Sequence, residues 1–320
     1  MDKAVMTIAT GKPIYLKMAV NLARSFKVWH SQSSIRFVLV TDQKRAIPSD
    51  LSDIEVIEIK PGEYGKGFVS KLHLDIFAPA KQTLFIDSDC LCVGPLEPVF
   101  DKFKGRAVSV IGDIIKEGNC WGDVSSICRA FKIDWLPKFV GGIYYLEKGD
   151  MAKQVFASAR RLESKYDEAG LLRLRGMPNE EPLVAIAMAM HGQKPITEDG
   201  SIKADLLFYP SKVKVDVFGG KASLWNLPES RKYNHHWPLR ESRPLVVHFN
   251  CSFAERRYYA REAVRLEKVM SKGWPLAMAS LYADITQNVP ELVVEGVKDL
   301  LRPGYRRLLG TREVKKSNRL

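Results

Sequence analysis

The segment QTLFIDSDCLCVGPLEPVF, residues 82–100, decides the fold of this 320-residue chain and indicates its chemistry. An apolar run leads into two aspartates, Asp87 and Asp89, with one serine between them. Side chains of a strand alternate with a period of two, so both carboxylates are expected on the same side. Two neighbouring carboxylates repel each other, and burying either one without a partner is costly. The pattern leaves two interpretations: both aspartates lie in solvent at the tip of a strand, or a cation lies between them.

Strand and helix patterns alternate through the first third of the chain. Strand patterns occupy residues 4–10, 35–42, 54–59, 83–89 and 107–113, and helical patterns occupy residues 13–29 and 68–78. Apolar strands that alternate with helices are typical of a mostly parallel sheet with helices on both faces. We therefore predict an α/β fold.

The rest of the chain is less regular. We expect a long binding loop, a strand, two helices and a late strand that ends at His248. Two C-terminal helices follow, and a Pro303-Gly304 break ends the second of them. The second of the two central helices should begin after an Asn179 N-cap and end at Gly192. The segments are, in order, 114–138, 139–150, 150–166, 178–192, 243–253, 254–271 and 290–302.

Composition excludes several classes of protein. Apolar runs are too short for a membrane span, and the first residues lack the apolar core of a signal peptide. The five cysteines do not have zinc-site spacing, so a reduced, cytoplasmic protein is expected. The net charge is +12, but aromatic residues do not alternate with Lys and Arg in any RNA-binding pattern, so nucleic acid is not a predicted partner. Neither a GxGxxG nor a P-loop motif is present.

Polar residues collect at the predicted strand ends, where ligands of parallel sheets bind. They are Thr10, Asp42, Asp87, Asp89 and Asp113. Carboxylate oxygens suit Mg²⁺ or Mn²⁺, and an added imidazole from His248 would favour Mn²⁺. The alternatives are a solvated turn for the two aspartates and a core position for the histidine.

A phosphatase is the main competing interpretation of the same motif. Haloacid-type phosphatases also end a strand with DxD, and the first Asp is their nucleophile. They usually carry the motif on the first strand, with Thr or Val after the second Asp. Here it lies on the fourth strand and is followed by Cys90-Leu91, which disfavours that interpretation.

The region SKLHLDIFAPAKQTLFIDSDCLCVGPLEPVF, residues 70–100, resembles the signature of GT-A glycosyltransferases of the glycogenin and bacterial lipopolysaccharide galactosyltransferase type. A basic residue, Lys71, stands 16 residues before Asp87, and Val93, Leu96 and Phe100 follow the motif. FVGGIYYL, residues 139–146, is similar to the glycine-bearing acceptor strand of that family, and HFN, residues 248–250, to its late metal-binding histidine. The resemblance covers about residues 4–253.

This resemblance implies a GT-A fold and a UDP-sugar donor. Asp87 and Asp89, with His248, would hold Mn²⁺ (or Mg²⁺) against the donor diphosphate. The uridine pocket would be lined by Thr7, Ala9, Thr10 and Tyr15, and further donor contacts would come from Lys71, Ser88 and Gly142. Glu180 and Glu181 match the pair that lies near the reacting sugar carbon, although two acids at a helix N-terminus are equally well explained by the helix dipole.

The chain also departs from the family pattern. Val140 stands where an Asn is usual, and the Gly and Lys that usually follow the late histidine are missing from HFNCSFAERRYY. We expect Arg256 or Arg257 to supply the positive charge for the diphosphate, because guanidinium groups suit phosphate geometry.

The resulting prediction is a metal-dependent transferase that moves a hexose to a glycan or lipid-linked acceptor, with retention implied by the resemblance alone. Residues 1–253 would form the catalytic domain, with a nucleotide-binding half (1–113) and an acceptor half (114–253), and residues 254–320 a basic helical extension. Residues 290–320 form a basic amphipathic segment that is predicted either to contact an anionic membrane or to pack on the domain. A DxD phosphatase or phosphotransferase and a non-catalytic nucleotide-sugar-binding protein are the alternatives.

Overall fold

The chain was analysed as a computed structural model that describes residues 2–310, apart from the side chains of Arg306 and Leu309. The strands are β1 (Lys3–Ala9), β2 (Arg36–Thr41), β3 (Glu55–Glu58), β4 (Gln82–Ile86), β5 (Cys90–Cys92), β6 (Val108–Ile115), β7 (Leu136–Glu147), β8 (Lys203–Asp205), β9 (Lys212–Asp216), β10 (Lys221–Trp225), β11 (Glu241–Ser242) and β12 (Val246–His248). The helices are α1 (Pro13–His30), α2 (Leu74–Phe77), α3 (Glu97–Phe103), α4 (Val124–Phe131), α5 (Asp150–Glu163), α6 (Glu180–Met190), α7 (Arg257–Leu266), α8 (Leu276–Ala283) and α9 (Val289–Leu309).

Six strands form the central sheet, in the order β3-β2-β1-β4-β7-β6. The first four pair in parallel, and β7 runs antiparallel to both β4 and β6, so β7 alone is reversed within this sheet. The sheet is therefore mostly parallel. This confirms the α/β class predicted from the alternating strand and helix patterns.

Helices cover both faces of the central sheet. Side chains of β1 alternate between the two faces, so Met6 and Ile8 join one apolar cluster while Val5 and Ala9 join the other. The first cluster is completed by α5 and α6, and the second by α1 and α3. Burial on both faces explains why the central strands are apolar throughout.

A second, three-stranded sheet lies directly beside the acidic strand end. Its order is β5-β12-β8, with β12 antiparallel to β5 and parallel to β8. The register places His248 between Cys90 and Asp205. The three side chains therefore lie side by side, immediately after Asp89. A separate sheet of β9, β10 and β11 lies further along the chain.

The prediction of a long loop at 114–138 was wrong. Strand β6 continues to Ile115, β7 already begins at Leu136, and helix α4 lies between them. The Asp123 side chain caps α4 by accepting a hydrogen bond from Ser126 N at 2.8 Å. The helix buries side chains at Val124, Ile127 and Cys128. That spacing of three and four residues is the helical signal, short enough to be overlooked among the aromatic and glycine residues.

The helix predicted at 68–78 is mostly a 3₁₀ segment, Gly67–His73, followed by the single turn of α2. Pro79 follows Ala78, and the residue before a proline is disfavoured in the helical region, so the turn cannot extend.

The C-terminal helices also differ from the prediction. Helix α8 was not predicted, and α9 continues through Pro303 rather than breaking there. The proline cannot donate a backbone hydrogen bond, but its surroundings are exposed, so water can satisfy the carbonyl that is left over. Residues 311–320 of the predicted extension lie outside the described residues. None of the helices within residues 2–310 is long and apolar enough to cross a bilayer.

Candidate functional site

A cleft of about 340 Å³ opens where β1 and β4 end, beside β7, β12 and the start of α6. Many of the side chains predicted to bind the donor line it. They are Thr10, Tyr15, Lys71, Asp87, Ser88, Asp89, Glu180, Glu181 and His248. The structure therefore gathers into one cleft residues that lie up to 238 positions apart in the sequence.

Lys71 lies at the centre of the acidic groups. Its Nζ is 2.7 Å from Asp87 Oδ2 and 3.0 Å from Glu180 Oε1, and it also donates to the Gly141 carbonyl at 3.2 Å. Burial lowers the pKa of Lys71, but the two carboxylates outweigh burial and raise it overall. Lys71 is therefore a fixed positive charge whose hydrogen bonds hold Asp87 and Glu180 on either side of it.

Glu180 is buried at the first turn of α6. The predicted Asn179 cap is confirmed, with its side chain accepting from Glu181 N at 3.3 Å. Burial raises the pKa of Glu180 to about 7, against the lowering effect of Lys71. Its Oε2 atom has no hydrogen-bond partner among the described residues. A buried acid that titrates near neutrality, with one oxygen left unpaired, is typical of functional sites.

Glu181 is held differently from its neighbour. One oxygen accepts from Gly141 N at 2.6 Å, and the other accepts from Trp121 Nε1 and from Asn179 Nδ2, each at 3.1 Å. Three N–H groups therefore fix the carboxylate in one orientation. Trp121, from the segment predicted to be a loop, supports Glu181 in this way.

The raised pKa of Glu180 predicts a pH-dependent stability. The folded protein keeps a proton on Glu180 up to about pH 7, whereas the unfolded chain releases it near 4.5. Stability from this group is complete below pH 4.5 and is lost as the pH rises through 7, because the folded state binds more protons across that window. We expect Glu180→Gln to match the wild type at pH 5 and to be more stable by ~3 kcal/mol at pH 8.

Urea unfolding of both proteins at the two pH values tests this. Partly exposed Glu163→Gln on α5 is the matched control and should show no such difference. Equal stability of Glu180→Gln and wild type at pH 8 would contradict the buried-acid assignment.

Asp89 and His248 meet across the strand ends. His248 Nε2 lies 3.1 Å from Asp89 Oδ1, and Nδ1 lies 2.5 Å from Asp205 Oδ1. Burial lowers the pKa of His248, but the carboxylates on its two sides raise it to about 10. Cys90 also has its Sγ within 4.8 Å of the Asp89 and His248 ligand atoms. Burial raises the pKa of its thiol well above the usual value, so Cys90 acts as a core residue here.

The side chains present fit a divalent cation at Asp89 and His248. A carboxylate oxygen and an imidazole nitrogen face each other, which is a donor set suited to Mn²⁺. The other imidazole nitrogen bonds to a carboxylate, as metal-binding histidines usually do. Asp87, the third predicted ligand, is paired with Lys71 instead and lies outside this group.

Two glycines let β7 approach the site closely. A Cβ on Gly141 would lie 2.7 Å from Tyr144 Oη, and one on Gly142 would lie 2.7 Å from His248 Nδ1. Gly141 lines the cleft, whereas Gly142 lies behind the imidazole ring. The two glycines therefore allow the backbone of β7 to lie close to the side chains of the site.

Thr7 and Ala9 do not line the cleft, contrary to the prediction. Their neighbours Ile8 and Thr10 do, because alternate side chains of β1 point to opposite faces. Asp42 and Asp113 also lie outside it. The Asp42 carboxylate accepts from Gly11 N and so shapes the turn after β1.

The prediction that Arg256 or Arg257 binds the diphosphate is also not supported, because neither lines the cleft. Arg256 pairs with Glu291 at 3.3 Å, and Arg257 pairs with Glu295 at 3.5 Å. Arg257 N also donates to Glu291. Both arginines lie at the start of α7, against α9, where they hold the C-terminal helix.

Three charged residues of the site had no recognisable signal in the sequence. Lys203 and Asp205 belong to a strand of only three residues, too short to show alternation. Arg175 lines the cleft from a turn and has a left-handed backbone with φ 54°. The only hint was the neighbouring Gly176, which marks a turn but not a binding residue.

Comparison with known proteins identifies glycosyltransferase structures. No protein-family description matches the chain, and no curated protein matches it. An active-site mutant of LgtC is 13% identical, with 75% of this chain and 86% of that chain covered and a TM-score of 0.49. The glycosyltransferase GlyE of Streptococcus pneumoniae TIGR4 is 13% identical (64% and 48% covered, TM-score 0.45). The bifunctional glycosyltransferase WbbM is 13% identical (78% and 46% covered, TM-score 0.47).

Each of these structures is similar to this chain over part of its length. Identities of 13% and TM-scores below 0.5 carry nothing about substrate or mechanism.

Proposed function

We propose that the chain is a glycosyltransferase that takes a hexose from a UDP-sugar and transfers it, with retention, to a glycan or glycolipid acceptor. The observation that carries this proposal is the convergence, in one cleft, of the Asp89–His248 pair with the buried Lys71–Glu180 pair. Asp89 and His248 would hold Mn²⁺ or Mg²⁺. A bound divalent cation would neutralise the charge that develops on the leaving diphosphate.

The two carboxylates at the start of α6 suit the other half of the reaction. Breaking a glycosidic bond leaves positive charge on the sugar carbon, which a nearby carboxylate stabilises. Glu181 is fixed by three N–H groups, and Glu180 is fixed by Lys71. Neither side chain needs to reorganise during transfer. Retention is inferred from the family resemblance, and NMR of the product's anomeric centre checks it.

Arg175 is the best candidate for binding the donor phosphates in place of Arg256 and Arg257. Lys71 is already paired with two carboxylates and Lys203 with Asp205. Among the described side chains that line the cleft, Arg175 is a cation for which no ion pair is found. A guanidinium can bind two phosphate oxygens at once.

We expect Arg175→Ala to weaken UDP binding roughly tenfold, because one charge-assisted hydrogen-bonding group is lost. Arg173→Ala is the matched control, since Arg173 lies in the same turn but pairs with Asp167 at 2.6 Å. Calorimetric titration with UDP in the presence of Mn²⁺ measures both. Equal affinity of Arg175→Ala and Arg173→Ala would remove Arg175 from the donor site.

Turnover distinguishes the proposed activity from its alternatives. Release of UDP from one member of a UDP-hexose panel, faster with a glycan acceptor present, supports transfer. Hydrolysis of a simple phosphoester without any UDP-sugar reaction would favour the phosphatase. Donor binding with neither transfer nor donor hydrolysis would favour a binding protein.

Helix α9 supports the further proposal that the protein contacts an anionic bilayer. Its attachment to α7 is polar, through Glu291 and Glu295. The apolar face points outward, with Val293, Val297, Leu300, Leu301 and Leu308 all exposed. This is the reverse of an ordinary surface helix, which buries its apolar face. Because the helix also carries Lys and Arg and the chain has a net charge of +12, the complementary occupant is a negatively charged lipid surface.

We expect Leu300→Asp to weaken binding to vesicles of phosphatidylglycerol and phosphatidylcholine roughly tenfold, because a charge replaces an apolar group that would enter the bilayer. Leu300 is 80% exposed, so folding should not change. Leu172→Asp, at a 59% exposed leucine outside the helix, is the matched control. Co-sedimentation that is the same for both variants would refute the bilayer contact.

A further inference from the structure

We infer that Lys203 and Asp205 are positioning residues that orient His248, so that Nε2 rather than Nδ1 faces the cation. The inference rests on the proposed function, because it assigns these residues to the same metal site. Neither residue lines the cleft, so neither touches the donor directly.

The three side chains form a continuous buried chain of contacts. Asp205 Oδ1 lies 2.5 Å from His248 Nδ1, and Asp205 Oδ2 accepts from Lys203 Nζ at 2.7 Å. Lys203 Nζ also donates to the Val140 carbonyl at 3.0 Å. The side chains of Lys203, Asp205 and His248 are only 1%, 2% and 5% exposed.

Strand geometry brings them together. Lys203 and Asp205 are two residues apart on β8 and therefore share a face. Asp205 is the direct neighbour of His248 in the parallel pairing of β8 with β12. The bond from Lys203 to Val140 ties this small sheet to β7 of the central sheet, two residues before Gly142, the glycine that packs against the imidazole ring.

Stability alone does not account for this arrangement. Removing two charges from water is costly, and well-packed apolar residues are often at least as stable as a buried ion pair. The ion pair instead fixes the orientation of the His248 imidazole. Because the Asp205 carboxylate contacts Nδ1, the other ring nitrogen, Nε2, faces Asp89. The Lys203 ammonium holds the Asp205 carboxylate in place. Gly142 packs closely against the ring, since a Cβ at this position would lie 2.7 Å from His248 Nδ1.

The test uses Asp205→Asn and Lys203→Met in the full-length chain. Mn²⁺ binding is measured by electron paramagnetic resonance of the free ion, without any nucleotide. We expect dissociation constants roughly 10- to 100-fold weaker than wild type. Asp50→Asn is the matched control, because it breaks the largely buried Arg24–Asp50 pair, which lies outside the cleft. Thermal melts of the metal-free proteins show whether each variant folds.

A second readout separates positioning from simple support of the fold. In ¹⁵N-histidine-labelled protein with Zn²⁺, the His248 signals are identified by their loss in His248→Asn. We expect Zn²⁺ at Nε2 in wild type and a mixture of Nε2 and Nδ1 in Asp205→Asn. If Lys203→Met unfolds, this measurement on Asp205→Asn still decides the matter.

Unchanged Mn²⁺ affinity and an unchanged Zn²⁺-bound nitrogen in Asp205→Asn would overturn the inference and leave the transferase proposal standing. Absence of Mn²⁺ binding by the wild type would instead reject the metal site of the proposed function.

Discussion

Lys71→Met is expected to lower the free energy of unfolding by ~3–5 kcal/mol at pH 8, because it leaves buried Glu180 and partly buried Asp87 without their shared cation. The loss should shrink at pH 5. Glu180 is then protonated, since its pKa is already about 7 with Lys71 present and that ammonium lowers it. Urea denaturation at the two pH values measures the effect.

Lys153→Met is the matched control, since its partner Asp150 is 92% exposed and the pair lies at the surface of α5. It should change stability by less than about 0.5 kcal/mol. If Lys71→Met is as stable as this control at pH 8, the central ion-pair cluster does not hold the site together.

If the proposed function is right, Asp89→Asn is expected to slow glycosyl transfer about 1,000-fold, because one proposed cation ligand loses its charge while its shape is preserved. Thermal melts of the metal-free proteins show whether the variant folds, since Asp89 also pairs with His248 at 3.1 Å. Initial rates of UDP release from the active UDP-hexose at saturating Mn²⁺ give the comparison.

Asp42→Asn serves as the control for Asp89→Asn. Like Asp89, Asp42 comes after a strand of the central sheet. Its carboxylate accepts a hydrogen bond from Gly11 N in the turn after β1, and it lies outside the cleft. Its variant should retain nearly full activity. Equal rates for the two variants would show that the Asp89–His248 pair is not the catalytic metal site.

Much of this site was predictable because it lies where sequence patterns are strong. Apolar runs that end in polar residues predicted where β1 and β4 end. The family resemblance predicted that Lys71, Asp87 and His248 belong to the same site. The structure places Lys71 within 2.7 Å of Asp87, sixteen residues away in sequence. The capped start of α6 located Glu180 and Glu181, because N-cap signals are local.

Contacts between distant, short elements were not predictable. Lys203 and Asp205 come close to His248 only through the pairing of β8 with β12, which no local sequence pattern predicts. Arg175 reaches the cleft through the path of a turn. Thr7 and Ala9 were predicted beside Thr10, whereas Ile8 and Thr10 line the cleft, because a strand buried on both faces shows no alternation that sets its register.

The C-terminal arginines show a different limit. Arg256 and Arg257 follow the late histidine in sequence, so proximity along the chain made them candidates for phosphate binding. In the fold they turn towards α9, where Glu291 and Glu295 compete for them. Proximity along the sequence does not show whether an arginine binds the phosphates of a ligand or the carboxylates of a neighbouring helix.

The most direct test of the central claim is calorimetric titration of the full-length protein with UDP, with and without Mn²⁺, beside Asp89→Asn. The proposed site predicts binding that depends on Mn²⁺ and is lost in the variant, because Asp89 and His248 would hold the cation that neutralises the diphosphate. UDP binding that is absent with Mn²⁺ present, or equally tight in Asp89→Asn, would contradict it.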